Sequence, residues 1–120
     1  MQVTIEDLQE YLTQHYTIHS NGIETSLFMK LVEEVGEVAE VLNQRSGRKS
    51  QDKDDLDKEL VTEIADIIHY AVALAAINNL DLTKTILEKD KAASIKYGHT
   101  MNLTEFIQHK HQKKKKKRRN

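Results

Sequence analysis

Two pairs of carboxylates carry the chemistry legible in this sequence. Glu34 and Glu37 stand three residues apart in Lys30-Leu-Val-Glu-Glu34-Val-Gly-Glu37, and Glu63 and Asp66 stand three apart in Glu63-Ile-Ala-Asp66-Ile-Ile-His-Tyr70. Residues three apart on an α-helix are neighbours on one face. At about 100° per residue, Leu27, Leu31, Val35, Val38, Val41 and Leu42 make one apolar stripe. Glu34 falls within its span and Glu37 at its border. Leu56, Leu60, Ile64, Ile67, Ala71 and Leu74 make a second stripe, with Glu63 inside and Asp66 at its edge. An ionised acid among apolar side chains is costly unless it is partnered, and Lys and Arg are scarce on these faces. Stripes that face each other would gather four carboxylates, and a divalent cation is their natural partner. All-oxygen ligation favours magnesium or manganese over zinc. The blander reading, a Glu reaching water at the edge of a helical seam, suits one such residue better than a matched pair of pairs. Gly36 lies between the first two acids inside a helix, where it costs about 1 kcal/mol against Ala. Close approach of another helix or a ligand is the expected reason.

The elements that must position these acids are helices. Residues 5–16 form the first, with Thr4 as cap and Asp7 three residues on. Residues 17–24 read as a loop through Ser20, Asn21 and Gly22, and Thr25 or Ser26 caps a second helix running to about residue 44. A polar, turn-rich stretch, 45–52, leads to a third helix over about 53–78, which Asn78 and Asn79 suit as a C-terminus. Asp81 caps a fourth, 82–97, stopped by Gly98, and a short fifth follows Asn102. No internal repeat or strand alternation is present. The expected fold is all-α, an antiparallel bundle of four to five helices.

Length and charge limit the alternatives. The chain has 120 residues, enough for one domain. It contains no proline and four glycines, which excludes collagen-like and linker-like classes. With no cysteine there is no disulfide scaffold or thiol chemistry, as fits a reducing cytoplasm. No apolar run is expected to reach the roughly 18 to 20 residues of a membrane span. The acidic start, MQVTIEDLQE, does not read as a secretory signal. Residues 110–119 hold eight of the 18 Lys and Arg and no acid, leaving 10 basic against 19 acidic residues in 1–109, a net of −9. Such a body does not resemble a nucleic-acid-binding domain. The division expected is a body, 1–109, and a disordered basic tail, 110–120. That tail either touches RNA, an acidic partner or an anionic surface, or is a solubilising end with no further role.

Together the two acid pairs closely resemble the MazG-like family of all-α nucleoside triphosphate pyrophosphohydrolases, over roughly residues 27–98. The family also tends to end its last core helix with Lys, an Asn four residues on, then Arg-Tyr; the same register here gives Lys89, Ala93, Lys96 and Tyr97. The resemblance implies a homodimer or dimer of dimers, with magnesium (or manganese) held by Glu34, Glu37, Glu63 and Asp66. It implies cleavage of a nucleoside triphosphate to monophosphate and pyrophosphate, a house-cleaning activity that can extend to deoxy or modified nucleotides. It places Tyr70 beside the substrate, with Tyr97 a further binding position. Metal ions neutralise a triphosphate and acidify water. Glu37, then Glu34, are the candidates to position or deprotonate that water, with Glu33 or Glu40 one layer out. Lys89 and Lys96 would hold phosphate oxygens, although late-helix lysines also suit the helix dipole. Lys30 either contacts substrate or pairs with Glu34. His15, Tyr16, His19 and Phe28 are available to a base pocket.

Two departures bear on activity. Ala93 replaces the family's amide, and Lys96 lacks the bidentate geometry of Arg. Rival readings are a phosphoribosyl-ATP pyrophosphohydrolase or dimeric dUTPase, a carboxylate-bridged di-iron protein suggested by Asp66-Ile-Ile-His69, and a non-catalytic dimer whose tail binds RNA. The di-iron reading lacks a second acid-x-x-His on helix two.

Overall fold

A computed structural model of the chain describes residues 1–16, 22–47 and 53–119. These form five helices and no strand: α1 (Ile5–His15), α2 (Ile23–Arg45), α3 (Lys53–Ile77), α4 (Leu82–Lys96) and α5 (Leu103–Arg119). The all-α expectation holds. Of the expected loops at 17–24 and 45–52, residues 17–21 and 48–52, with His19, lie outside the described residues, and residues 23, 24 and 45 belong to α2. The described chain divides into two compact units, Met1–Leu80 and Asp81–Asn120.

The first unit holds α1, α2 and α3. Thr4 and Asp7 close a capping box at the start of α1: the Thr4 hydroxyl accepts from the Asp7 N–H at 3.0 Å, and Asp7 Oδ2 accepts from the Thr4 N–H at 3.1 Å. Each side chain thereby satisfies a backbone donor that the first turn leaves free. The start of α2 differs from expectation. Its cap is Gly22, at φ 85°, with no side-chain bond, so Thr25 and Ser26 lie inside the first turn rather than ahead of it. A left-handed Gly needs no Cβ clearance, and its carbonyl accepts from the Ser26 N–H at 2.9 Å. α3 ends as its asparagines suggested. Asn79 takes φ 52°, and the Leu80 N–H returns to the Ala75 carbonyl at 3.0 Å.

Two cross-links fix α2 and α3 as antiparallel neighbours. Asn78 Nδ2 donates to Glu24 Oε1 at 3.1 Å, joining the end of α3 to the start of α2, and Arg45 meets Asp57 at 3.1 Å at the opposite ends. α3 packs against both α1 and α2. Its buried residues include Leu56, Val72, Ala73, Ala75 and Ala76, set against Leu12 of α1 and Leu27 and Val41 of α2. The small residues of the second half allow close helix approach. There α1 covers a flank that the single-stripe wheel left to solvent, so Val72, Ala73 and Ala76 join the core.

Other members of the stripes are uncovered. Val35, Leu42, Ile64 and Ala71, expected inward, are exposed, together with Phe28, Val32, Val61 and Ile68. They form an open apolar strip running along both helices. Gly36 is equally open: a Cβ built there meets nothing within 4 Å, so no crowding within the chain explains it. α3 is also long and apolar enough to cross a membrane by length and composition, contrary to expectation. Glu63 and Asp66 interrupt its apolar half. Its packing against two neighbours is that of a bundle helix.

The second unit is a helical hairpin. Asp81 caps α4 by accepting from the Lys84 N–H at 3.0 Å. Gly98 ends it at φ 66°, with the His99 N–H returning to the Ser94 carbonyl at 2.9 Å. Asn102 and Glu105 then close a second capping box: the Glu105 N–H donates to Asn102 Oδ1 at 2.9 Å and the Asn102 N–H to Glu105 Oε1 at 3.2 Å. Asp90 Oδ2 accepts from the Leu103 N–H at 2.6 Å, tying α5 to α4. The expected disordered tail from Lys110 is instead helix as far as Arg119. Lys and Arg propagate a nucleated helix nearly as well as Ala, and cations in the last turn favour its negative end.

Candidate metal and active site

α2 supplies Glu34 and Glu37 and α3 supplies Glu63 to one cluster, in which a carboxylate oxygen of each lies within 4.8 Å of those of the other two. All three residues are half-buried. Like charges at this separation repel, and no Lys or Arg joins the group among the described residues. Glu34 Oε2 and Glu63 Oε2 are buried and lack a hydrogen-bond partner. Buried oxygens without donors are costly. The Glu63 carboxyl is accordingly pushed up from its ordinary 4.5 to about 8. The largest cause is a shared hydrogen bond with Glu34, followed by one with Glu37, then burial and the charges of the same two groups. A group that holds its proton this way lets neighbouring carboxylates coexist. A divalent cation would do the same for all three, and an all-oxygen donor set with two oxygens lacking donors fits magnesium or manganese.

Asp66, the fourth expected ligand, is half-buried one turn beyond Glu63 but is not a member of the cluster. Glu33 and Glu40 are exposed. Lys30 pairs with Glu33 at 3.4 Å rather than with Glu34, because an i, i+3 partner on the solvent face is nearer than one turned into the seam.

Tyr70 is half-buried on α3, its ring edge-on to His69 with centroids 5.0 Å apart. His69 falls on the side of α3 away from the apolar stripe and there meets α1: the Tyr16 hydroxyl lies 3.3 Å from His69 Nε2, ring centroids 6.4 Å apart. Burial, and secondarily Tyr70, raise the Tyr16 hydroxyl pKa. The signal that would have found this pair was α1 docking on the far side of α3, which a single-helix wheel does not contain. His15 stacks on Tyr11 at 5.9 Å, and Phe28 is exposed. Among the described residues no histidine joins the acid cluster.

Lys89, Lys96 and Tyr97 lie in the second unit, exposed on and just after α4. The Lys96 ammonium sits 5.4 Å from the Tyr97 ring centroid, and that ring stacks on His99 at 6.3 Å. A cation over an aromatic face is a modest, exposed attraction.

The MazG nucleotide pyrophosphohydrolase domain profile matches residues 23–96. YpjD of Bacillus subtilis (strain 168), itself uncharacterised, is 33% identical over 82 residues, covering 67% of this chain and 72% of its own. The crystal structure of iMazG from Vibrio DAT 722 matches at a TM-score of 0.59 and 27% identity, covering 79% of this chain and 98% of its own. The profile runs from the first residue of α2 to the last of α4 and so takes in every acid of the cluster; the chain belongs to the MazG nucleotide pyrophosphohydrolase family.

Proposed function

We propose that this protein hydrolyses nucleoside triphosphates, deoxy or modified ones included, to the monophosphate and pyrophosphate, using a divalent cation at the Glu34–Glu37–Glu63 cluster. The observation that carries the reading is the pair of buried, donorless oxygens, Glu34 Oε2 and Glu63 Oε2. Magnesium, or manganese in its place, would be held by these carboxylates with Asp66 beside them, and when bound it supplies charge neutralisation for the triphosphate and acidification of water. Glu37 is the residue for orienting and deprotonating the attacking water, with Glu34 second. Lys89 and Lys96 serve as cations for phosphate oxygens, and Tyr70 and Tyr97 as contacts for the nucleoside. Lys30, engaged with Glu33, contributes to substrate only by leaving that pair.

The active form in this reading is a homodimer or a dimer of dimers. The open apolar strip of Val32, Val35, Val61, Ile64 and Ile68 supports it, since strips of this kind mark interaction surfaces. The working compartment is the cytoplasm, away from any membrane.

The test is incubation with magnesium and a panel of ribo-, deoxy- and modified triphosphates, phosphoribosyl-ATP and dUTP among them, with products read by chromatography. Pyrophosphate from the wild type and none from a Glu34→Gln, Glu63→Gln protein establishes the reaction. A folded wild type that binds magnesium but yields no product from any of these ends the hydrolase reading.

A further inference from the structure

α5 carries a second feature that hydrolysis does not use. Phe106, Lys110, Lys113 and Lys117 fall within about 60° of one another around the helix and succeed each other by roughly one turn, about 5 to 6 Å along the axis. Phe106 is 53% exposed although it is aromatic. With Met101, His109, Lys110 and Lys113 it lines a groove of about 460 Å³. A second groove, of about 250 Å³, is lined by Gln112, Lys115, Lys116 and Arg119. Among the described residues no cation from Lys110 to Arg119 pairs with a carboxylate. The capping box at Asn102 and the Asp90 bond to the Leu103 N–H fix the start of the helix, and with it the register of the stripe.

We infer that α5 is a docking surface for single-stranded RNA, with a base stacked on Phe106 and successive phosphates on Lys110, Lys113 and Lys117. Charge complementarity selects a polyanion. A membrane surface fits poorly, because no apolar residue occurs from Gln108 to Arg119 and an interfacial helix needs an apolar face. An aromatic ring at the head of a basic stripe is the arrangement that holds unpaired bases; a duplex keeps its bases stacked and leaves Phe106 idle. His109, in the Phe106 groove, offers a donor and an acceptor to a 2′-hydroxyl, the group that distinguishes RNA from DNA. The acidic body, at net −9 over residues 1–109, confines such contacts to this helix.

The experiment is fluorescence anisotropy of the full chain with a short unstructured RNA, over a salt series. Binding is expected to weaken with salt at a log–log slope of about −2, from three phosphate contacts at about −0.7 each. Phe106→Ala is expected to weaken binding about fivefold or more at every salt concentration and leave the slope unchanged. Lys113→Ala is expected to make the slope shallower by about 0.7. Both side chains are exposed, so helicity by circular dichroism and nucleotide hydrolysis stay at wild-type levels. The inference is overturned by any of three results: no RNA binding at low salt, equal affinity for RNA duplex, DNA of the same sequence or phosphatidylserine vesicles, or a Phe106→Ala protein that binds RNA as tightly as wild type.

Discussion

Glu34 on α2 and Glu63 on α3 each hold a carboxylate oxygen, Oε2, buried between antiparallel helices with no donor to meet it. Hydrophobic residues at these two positions would give a more stable seam. Glu37 lies within reach of both, so three carboxylates share a seam in which each costs stability unless a proton or a cation partners it.

The first consequence is a pH dependence of the metal-free protein. Glu63 titrates near 8 when folded against an ordinary 4.5, so between these values the folded chain holds a proton that the unfolded chain releases. The contribution is fully present below pH 4.5 and is lost as pH rises through about 8. Melting temperature in a chelator should therefore fall across this window. Magnesium competes with that proton, so its stabilising effect should grow toward pH 8 and be smallest near pH 5. Differential scanning fluorimetry with and without magnesium checks this; parallel curves would contradict it.

Glu63→Gln separates stability from function at the same residue. An amide removes one charge from the cluster and offers a donor to Glu34. The metal-free variant should melt above the wild type at pH 8, yet lose the magnesium-induced shift and about two orders of magnitude or more in turnover. A variant with an intact magnesium shift would remove Glu63 from the ligand set.

Asp66→Asn should have a graded effect, because Asp66 stands one turn from Glu63 but outside the group of three. Weaker magnesium affinity by about 10- to 100-fold, with the metal-free melting profile nearly unchanged, is the expected outcome. Magnesium titration by calorimetry separates this from the loss expected for Glu63→Gln.

How much of this was legible in the sequence follows from what each signal depends on. Thr4–Asp7, Asp81 and Gly98 act within one turn of their own helix, and local spacing reveals them. The meeting of Glu34 and Glu63 was legible because the two stripes repeat one pattern, so the same wheel angle faces inward on both helices. The Tyr16–His69 contact and the burial of Val72, Ala73 and Ala76 were not, since both arise from α1 covering a second flank of α3. The alternative pairing of Lys30 with Glu34 gives way to Glu33 because sequence spacing allows partners at three and four residues and the solvent-facing one is within reach. The last turns of α5 were misread because the repulsion among lysines was weighed without their helix propensity or the end of the helix that they occupy.

Gly36 and the apolar strip give a final, paired prediction on assembly. A Cβ at Gly36 meets nothing within 4 Å, so Gly36→Ala should raise stability by roughly 1 kcal/mol through helix propensity alone, measured by urea unfolding. The strip behaves oppositely. Val61 is 63% exposed and Val32 48%, so a Val32→Glu, Val61→Glu protein should keep its helicity at low concentration. If the proposed homodimer forms through this strip, the variant should also be monomeric by light scattering where the wild type is dimeric, because charged side chains on such a face cannot be desolvated without partners. Turnover should fall with dimer content if two copies complete each site. A double variant that stays dimeric would move the interface off the strip, and a destabilising Gly36→Ala would place a neighbouring copy against the bare side of α2 instead.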